Sequence, residues 1–278
     1  MKSIIFLITA IMLSVSLASQ GFSVQPEVAG ANLKRMSPQD LHKAAEEFYR
    51  WRDENYPVGS SDNGLHKWDD RLTDYSSSAL AARRAHVESV LALVRGMSTE
   101  GWRKEDKIDW VLFRAQLEGD EFGSRVLRFT ETNPLIYLDE CSNAIFSLLK
   151  KDYDTPRNRA LSATARLAGM PALLERAKQN LKEPVRLYSR LAVDSARSID
   201  SLFKDSLMTL ATGLDQSEMG RLVAARDSAL EAIHGFADYL EAKLPTMAEF
   251  TAMGEENYNY MLKHIYLLPL DAEQVAML

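Results

Sequence analysis

Apolar side chains recur along this chain at spacings of three and four, the period that lays them on one face of a helix. The first such stretch opens at Ser37-Pro38-Gln39-Asp40, with Ser as N-cap, Pro at the first helical position and Asp at the third. Leu41, Ala45, Phe48 and Arg52 continue it, Ala44 and Trp51 widen its apolar stripe, and Tyr56-Pro57 ends it. Gly59 to Asp74 then reads as a long connection rich in Gly, Asp and Ser, the kind of segment in which functional loops lie. A second helix is expected from about Ser77 to Arg95, burying Leu80, Val87, Val90, Leu91 and Val94. Ile108, Val111, Leu112, Ala115, Phe122, Val126 and Phe129 mark a third. Asn133-Pro134 breaks it, because Pro pushes the residue before it out of the helical region.

Leu135 to Lys150 predicts a short apolar helix, and Thr155-Pro156 caps another, which Met170-Pro171 is expected to restart through a kink or turn. The two longest helices come last. One runs from about Pro184 to Thr212 with Gly213 as its C′ residue. The other opens at Ser217, carries Leu222, Val223, Leu230, Ile233, Phe236, Ala237 and Leu240, and stops at Pro245. Near the end Asp271 reads as an N-cap with Gln274 three residues on. Only seven residues follow that cap and no Gly, Asn or Pro closes the helix, so the domain is expected to be incomplete at its C-terminus. No segment alternates with a period of two, and no repeat is found. The pattern predicts an all-α, multi-helix bundle.

The N-terminus changes the picture of where the protein works. Met1-Lys2 supplies a positive start, Ile4 to Leu17 an apolar run of 14 residues, and Ser16-Leu17-Ala18 the small residues for cleavage after Ala18. That run is short of the roughly 20 residues a bilayer-spanning helix needs. No Cys follows it, which excludes a lipoprotein anchor at this site. Residues 1–18 are therefore expected to be a signal peptide, 19–36 a flexible tether and 37–278 a helical domain. Export to the periplasm or the extracellular space follows, with no membrane association once the leader is cleaved. The single cysteine, Cys141, cannot form an internal disulfide and sits in an apolar helical context, so it reads as buried and structural.

Hydrophobic content of 46% and charged content of 26% are those of a folded globular protein, and the net charge is −6. Basic residues are dispersed, which excludes nucleic acid as a partner. None of the five histidines (His42, His66, His86, His234, His264) is followed by Glu, so the helical His-Glu-x-x-His zinc arrangement is absent. No nucleophile elbow, Ser-x-x-Lys set, phosphate-binding loop or dinucleotide fingerprint occurs. Acidic neighbours such as Asp69-Asp70 and Asp139-Glu140 could divide acid and base roles, but pairs of this kind are common in a charged sequence. The segment Gly64-Leu65-His66-Lys67-Trp68-Asp69-Asp70-Arg71-Leu72 has the most unusual mix. It reads either as a ligand-facing loop or as a connection in which Trp68 packs down and the Asp residues cap the next element.

Several segments together resemble the bacterial domain-of-unknown-function 885 family. They are Phe48 to Pro57 (FYRWRDENYP), Gly64-Leu65-His66 with Trp68 to Leu72, Ala81-Ala82-Arg83-Arg84, Asp109-Trp110 with Arg114 to Leu117, Asn133 to Asp139, and Gly254 to Tyr258 with Leu262-Lys263 and Leu268 to Glu273. The resemblance covers about residues 40 to 278. It implies a helical, exported, zinc-peptidase-like protein whose metal motif, a His-Glu followed by a Pro-Gly-His segment, lies beyond Leu278. On that reading the chain has no catalytic or metal-binding residue of its own. It forms a non-catalytic N-terminal portion, zinc belongs to a missing half, and the full-length form acts on peptides. His66, Asp70, Asp139 and Tyr258 are the family-like positions carried over as candidate substrate-binding residues. The alternative is a complete helical periplasmic binding or interaction module without catalysis.

Overall fold

Ser37 starts the first helix as its chemistry requires. Its Oγ accepts the Asp40 N–H at 3.3 Å while the Asp40 carboxylate accepts the Ser37 N–H at 2.8 Å, closing a capping box. Helix α1 then spans Pro38–Asn55 and buries Leu41 and Phe48. The computed structural model describes residues 36–278, and among them every regular segment is helical, with one isolated bridge between Val185 and Ala248. The expected leader, residues 1–18, and all of the tether, 19–36, but Met36 lie outside the described residues. The described residues belong to a single compact unit, Arg35–Leu278.

After α1 come α2 (Pro57–Asp62), a short 3-10 turn (His66–Trp68), α3 (Ser77–Arg95) and α4 (Lys104–Phe122). A π-helical turn, Gly123–Leu127, leads into α5 (Phe129–Thr132), followed by α6 (Leu135–Leu149), α7 (Pro156–Asn180) and α8 (Arg186–Ser198). A π turn (Leu202–Ser206) and a 3-10 stretch (Leu207–Gly213) precede α9 (Gln216–Lys243). The chain continues through α10 (Glu255–Tyr260), a third π turn (Met261–Ile265) and α11 (Ala272–Ala276), whose Asp271–Gln274 capping box is the one expected.

Two apolar cores result. The larger is built by α6, α7, α8 and α9 around Tyr137, Ile145, Leu167, Phe203 and Phe236, and it holds Cys141 fully buried. The smaller lies among α1, α3 and α4, around Phe48, Leu91, Val94, Phe113 and Leu117, with Met36 packed partly against it.

Four expectations are corrected. Gly59 to Asp74 is not a plain loop: Pro57 occupies the first position of α2, and Ser60 and Ser61 are buried on its inner face. The third helix ends at Phe122 instead of running on to Phe129, and of its expected apolar set Ala115 and Phe122 face inward while others do not. Ile108 and Leu112 are 47% and 55% exposed, while Phe113 and Leu117 carry the packing on α3. A shift of one position turns the face by about 100°. Pro171 does not restart the chain, since α7 runs through it. An interior Pro costs about 3 kcal/mol. Leu167, Met170, Leu173 and Leu174, all buried, each return about 1.5–3 kcal/mol, so packing wins. Finally, Pro184 to Thr212 is not one helix, for the chain leaves α-geometry after Ser198 and takes π and then 3-10 turns before Gly213.

Candidate functional site

Tyr56 stands between two helices because Pro57 cannot continue α1 and instead begins α2. The Tyr56 N–H closes α1 on Arg52 O at 2.9 Å, and its carbonyl accepts the Ser60 N–H of α2 at 3.0 Å. Held there, the ring is the common wall of three adjoining hollows of about 350, 320 and 390 Å³. The first opens between α1 and α4, toward Trp51 and Asp120, and the second between α2 and α6, toward Asp139 and Glu140. The third and largest lies against α3 and the π turn, toward Tyr75, Arg83, Ser124 and Phe129. Such volumes match small-ligand pockets, and π turns recur beside functional sites.

The electrostatics of this cleft are unusual for its burial. Arg83 is 6% exposed and makes no hydrogen bond or ion pair among the described residues. Its guanidinium lies over the Tyr56 ring at 5.1 Å and near the Tyr75 ring at 5.8 Å. Cation–π contact of this kind contributes only about 0.5–2 kcal/mol. Burial raises the carboxyls of Asp120, Asp139 and Glu140 above their ordinary values. For Glu140 the Thr73 N–H, donated at 2.7 Å, and the charges of Arg166 and Arg83 oppose the shift without cancelling it. Burial also raises the phenols of Tyr56 and Tyr75, with Glu140 adding to both and Arg83 opposing. The cleft therefore offers a fixed cation and carboxyls inclined to keep a proton, which suits recognition of a ligand with an acidic end and N–H donors.

Behind α2 lies a second polar cluster. Asp69 accepts from Ser61 Oγ at 2.5 Å and from the Tyr153 hydroxyl, and His66 Nδ1 sits 3.1 Å from it with its ring stacked on Tyr153. Arg166, fully buried on α7, donates to Arg71 O, Ala144 O, Ser147 Oγ, Pro57 O and Ser61 Oγ. This network fastens α2 and the segment after it to α6 and α7. It leaves Trp68 packed down, as one of the two readings of that segment expects. The Asp residues do not cap α3, a role taken by Ser76.

Of the four candidate positions, Asp139 opens onto the cleft. His66 belongs to the buried network beside it. Asp70 points to solvent, 3.9 Å from Arg71, while its neighbour Asp69 takes the buried role. Tyr258 lies on α10 and lines none of the three hollows. Sequence reasoning named Glu140 only within a possible acid–base pair and Tyr56 and Arg83 only within family-like segments, and it missed Asp120. A signal for Arg83 was present: Leu80, Arg83, Val87, Leu91 and Val94 share one helical face, so an arginine occupies an inward position.

Among the described residues, one cluster has ligand atoms close enough for a cation, His42, Asp106 and Asp109, within 4.8 Å of one another. It does not fit a catalytic zinc. Both Asp106 oxygens accept from Arg103, at 2.9 and 3.1 Å, and His42 pairs with Asp109 at 3.0 Å. The set also lies outside the cleft.

A family described as "Bacterial protein of unknown function (DUF885)" matches residues 57–278. Among solved structures, the fold is similar to that of a predicted lipoprotein of unknown function from Shewanella oneidensis, with a TM-score of 0.76 at 20% identity. The match covers 87% of this chain and 44% of that one, so the chain spans less than half the length of that protein. No curated protein matches. Among the described residues, no helix is long and apolar enough to cross a membrane.

Proposed function

This chain belongs to the DUF885 family of bacterial proteins of unknown function, and from that premise we propose that it is the non-catalytic, substrate-facing portion of an exported zinc-peptidase-like protein. One observation carries the reading. Family-like segments far apart in sequence, Phe48 to Pro57, Ala81 to Arg84 and Asn133 to Asp139, meet at one cleft through Tyr56, Arg83 and Asp139. Residues brought together from separate helices around a hollow, with charge left over for a ligand, support a binding role there. Zinc in this reading is held by residues outside these 278, where it would polarise a peptide carbonyl and activate water. The residues present here bind and orient the peptide. Leu187 and Leu191, one turn apart on α8 and 44% and 46% exposed, supply an apolar face that further chain could cover.

The test compares residues 19–278 with the product of the whole reading frame, by metal analysis and by hydrolysis of an unstructured peptide. Zinc and hydrolysis in the longer protein alone support the proposal. Stoichiometric zinc with hydrolysis in residues 19–278 overturns it. A longer protein without zinc or hydrolysis leaves the second reading, a helical binding module without catalysis.

A further inference from the structure

We infer that the hollow beside Arg83 is a carboxylate-binding site that takes the C-terminal end of a peptide. The deciding feature is the arginine's lack of a partner. A buried guanidinium is ordinarily satisfied by carboxylates or carbonyls, since an unpaired buried charge costs several kcal/mol. Arg83 is 6% exposed and has no hydrogen bond or ion pair among the described residues, and its nitrogens are not among the fully enclosed polar atoms, so its donors reach the open space of the hollow. It lines the largest of the three hollows, about 390 Å³, and that space is where its donors can be met.

The rest of the wall selects what kind of anion enters. Leu80, Val87, Phe129 and Ile136 give it an apolar lining, which suits a carboxylate attached to an apolar body better than a hydrated inorganic anion. Asp120 also lines the hollow and would repel an anion without donors. The amide N–H groups of a peptide offer that carboxylate a partner, so the acid and the amide are recognised together. A guanidinium presents a planar fork that matches a carboxylate with two parallel hydrogen bonds. Tyr56 and Tyr75 hold the guanidinium in place through their ring faces without consuming its donors. The inference rests on the peptide reading above for the body attached to the carboxylate, but binding needs no catalysis.

The experiment measures binding of N-acetyl-L-phenylalanine, its carboxamide, and inorganic phosphate to purified residues 19–278 by calorimetry or ligand-observed NMR. The acid is expected to bind at least about tenfold more tightly than the amide or phosphate. Arg83→Gln is expected to abolish that preference. Gly123→Leu provides a second route, because Gly123 lines the hollow, has helical backbone angles and has nothing within 4 Å of an added Cβ. It should weaken the acid without removing the charge. Equal binding of acid and amide, or no binding of either by the wild type, overturns the site. Tighter binding of phosphate than of the acid overturns its assignment to peptide ends. If Arg83→Gln fails to fold, the acid–amide comparison in the wild type and Gly123→Leu still decide. Because no hydrolysis is read, failure here is separable from failure of the zinc and peptidase test.

Discussion

Arg166 and Arg83 are both buried arginines on helices, and both touch the Tyr56–Pro57 bend, Arg166 at the Pro57 carbonyl and Arg83 at the Tyr56 ring. Arg166 makes five hydrogen bonds, and Asp69 lies 3.9 Å from it. Arg83 makes none and rests between two tyrosine rings at the edge of a hollow. The same side chain at similar burial thus has two different explanations. The first arginine ties segments together: its acceptors come from α2, α6 and the chain after the 3-10 turn. The second holds its charge toward open space, an arrangement that folding alone does not require. Burial of a charged group does not by itself distinguish structure from function, but the fate of its donors does.

The largest effect that can test this contrast is Arg166→Met. It strands Asp69 and leaves five acceptors without their donor, so unfolding by denaturant should show a loss of about 3–5 kcal/mol. Asp69→Asn comes next. It removes the charge that Ser61, Tyr153 and His66 share, and a loss of about 2 kcal/mol is expected, with Tyr153 freed to titrate nearer its ordinary range. A smaller effect of opposite sign is expected at Glu140. Burial raises its folded-state pKa, so the folded chain holds the proton more strongly than the unfolded one. The stability linked to that proton is complete below the ordinary carboxyl range and is lost as pH rises through the raised folded value. Glu140→Gln keeps an oxygen to accept the Thr73 N–H and removes the titration. It should stabilise the protein at neutral pH and lose that advantage in acid, a difference readable from paired melting curves. An equal effect at both pH values would place the cost of Glu140 elsewhere than in its charge.

Much of the fold was legible because local chemistry and periodicity agreed. The capping boxes at Ser37–Asp40 and Asp271–Gln274, the break at Asn133–Pro134 and the stripe of Leu222 to Leu240 all stand where the sequence places them. The family match over residues 57–278 likewise agrees with the motifs that suggested it. Pro171 misled because its local penalty is visible in sequence while the packing that offsets it is not. Ile108 and Leu112 misled because an apolar pair one turn apart looks inward-facing until its helix meets a neighbour. The long helix expected to end at Thr212 was broken by π and 3-10 turns, which no residue there announces.

The cleft was less legible than the fold. Asp139 and His66 were chosen from motif resemblance, yet only Asp139 borders the hollows, and Asp70 proved one residue away from the buried carboxylate. Adjacent acids on a short turn point in different directions, so choosing between Asp69 and Asp70 needs the three-dimensional path. Tyr56 sits at the bend between α1 and α2, while Arg83, Asp120 and Glu140 come from α3, α4 and α6, and nothing in their spacing links them. Arg83 carried the clearest local sign, a charged residue within an otherwise apolar face of α3.

The most direct measurement is the unfolding free energy of Arg83→Met without ligand, set beside that of Arg166→Met. If Arg83 is held for a ligand, its removal takes away a charge without hydrogen bonds, two ring contacts and a long-range pull on Glu140. Arg83→Met should then remain within about 1 kcal/mol of wild type or exceed it. A loss comparable to that of Arg166→Met, about 3 kcal/mol or more, would show that Arg83 also holds the fold together and would contradict the account.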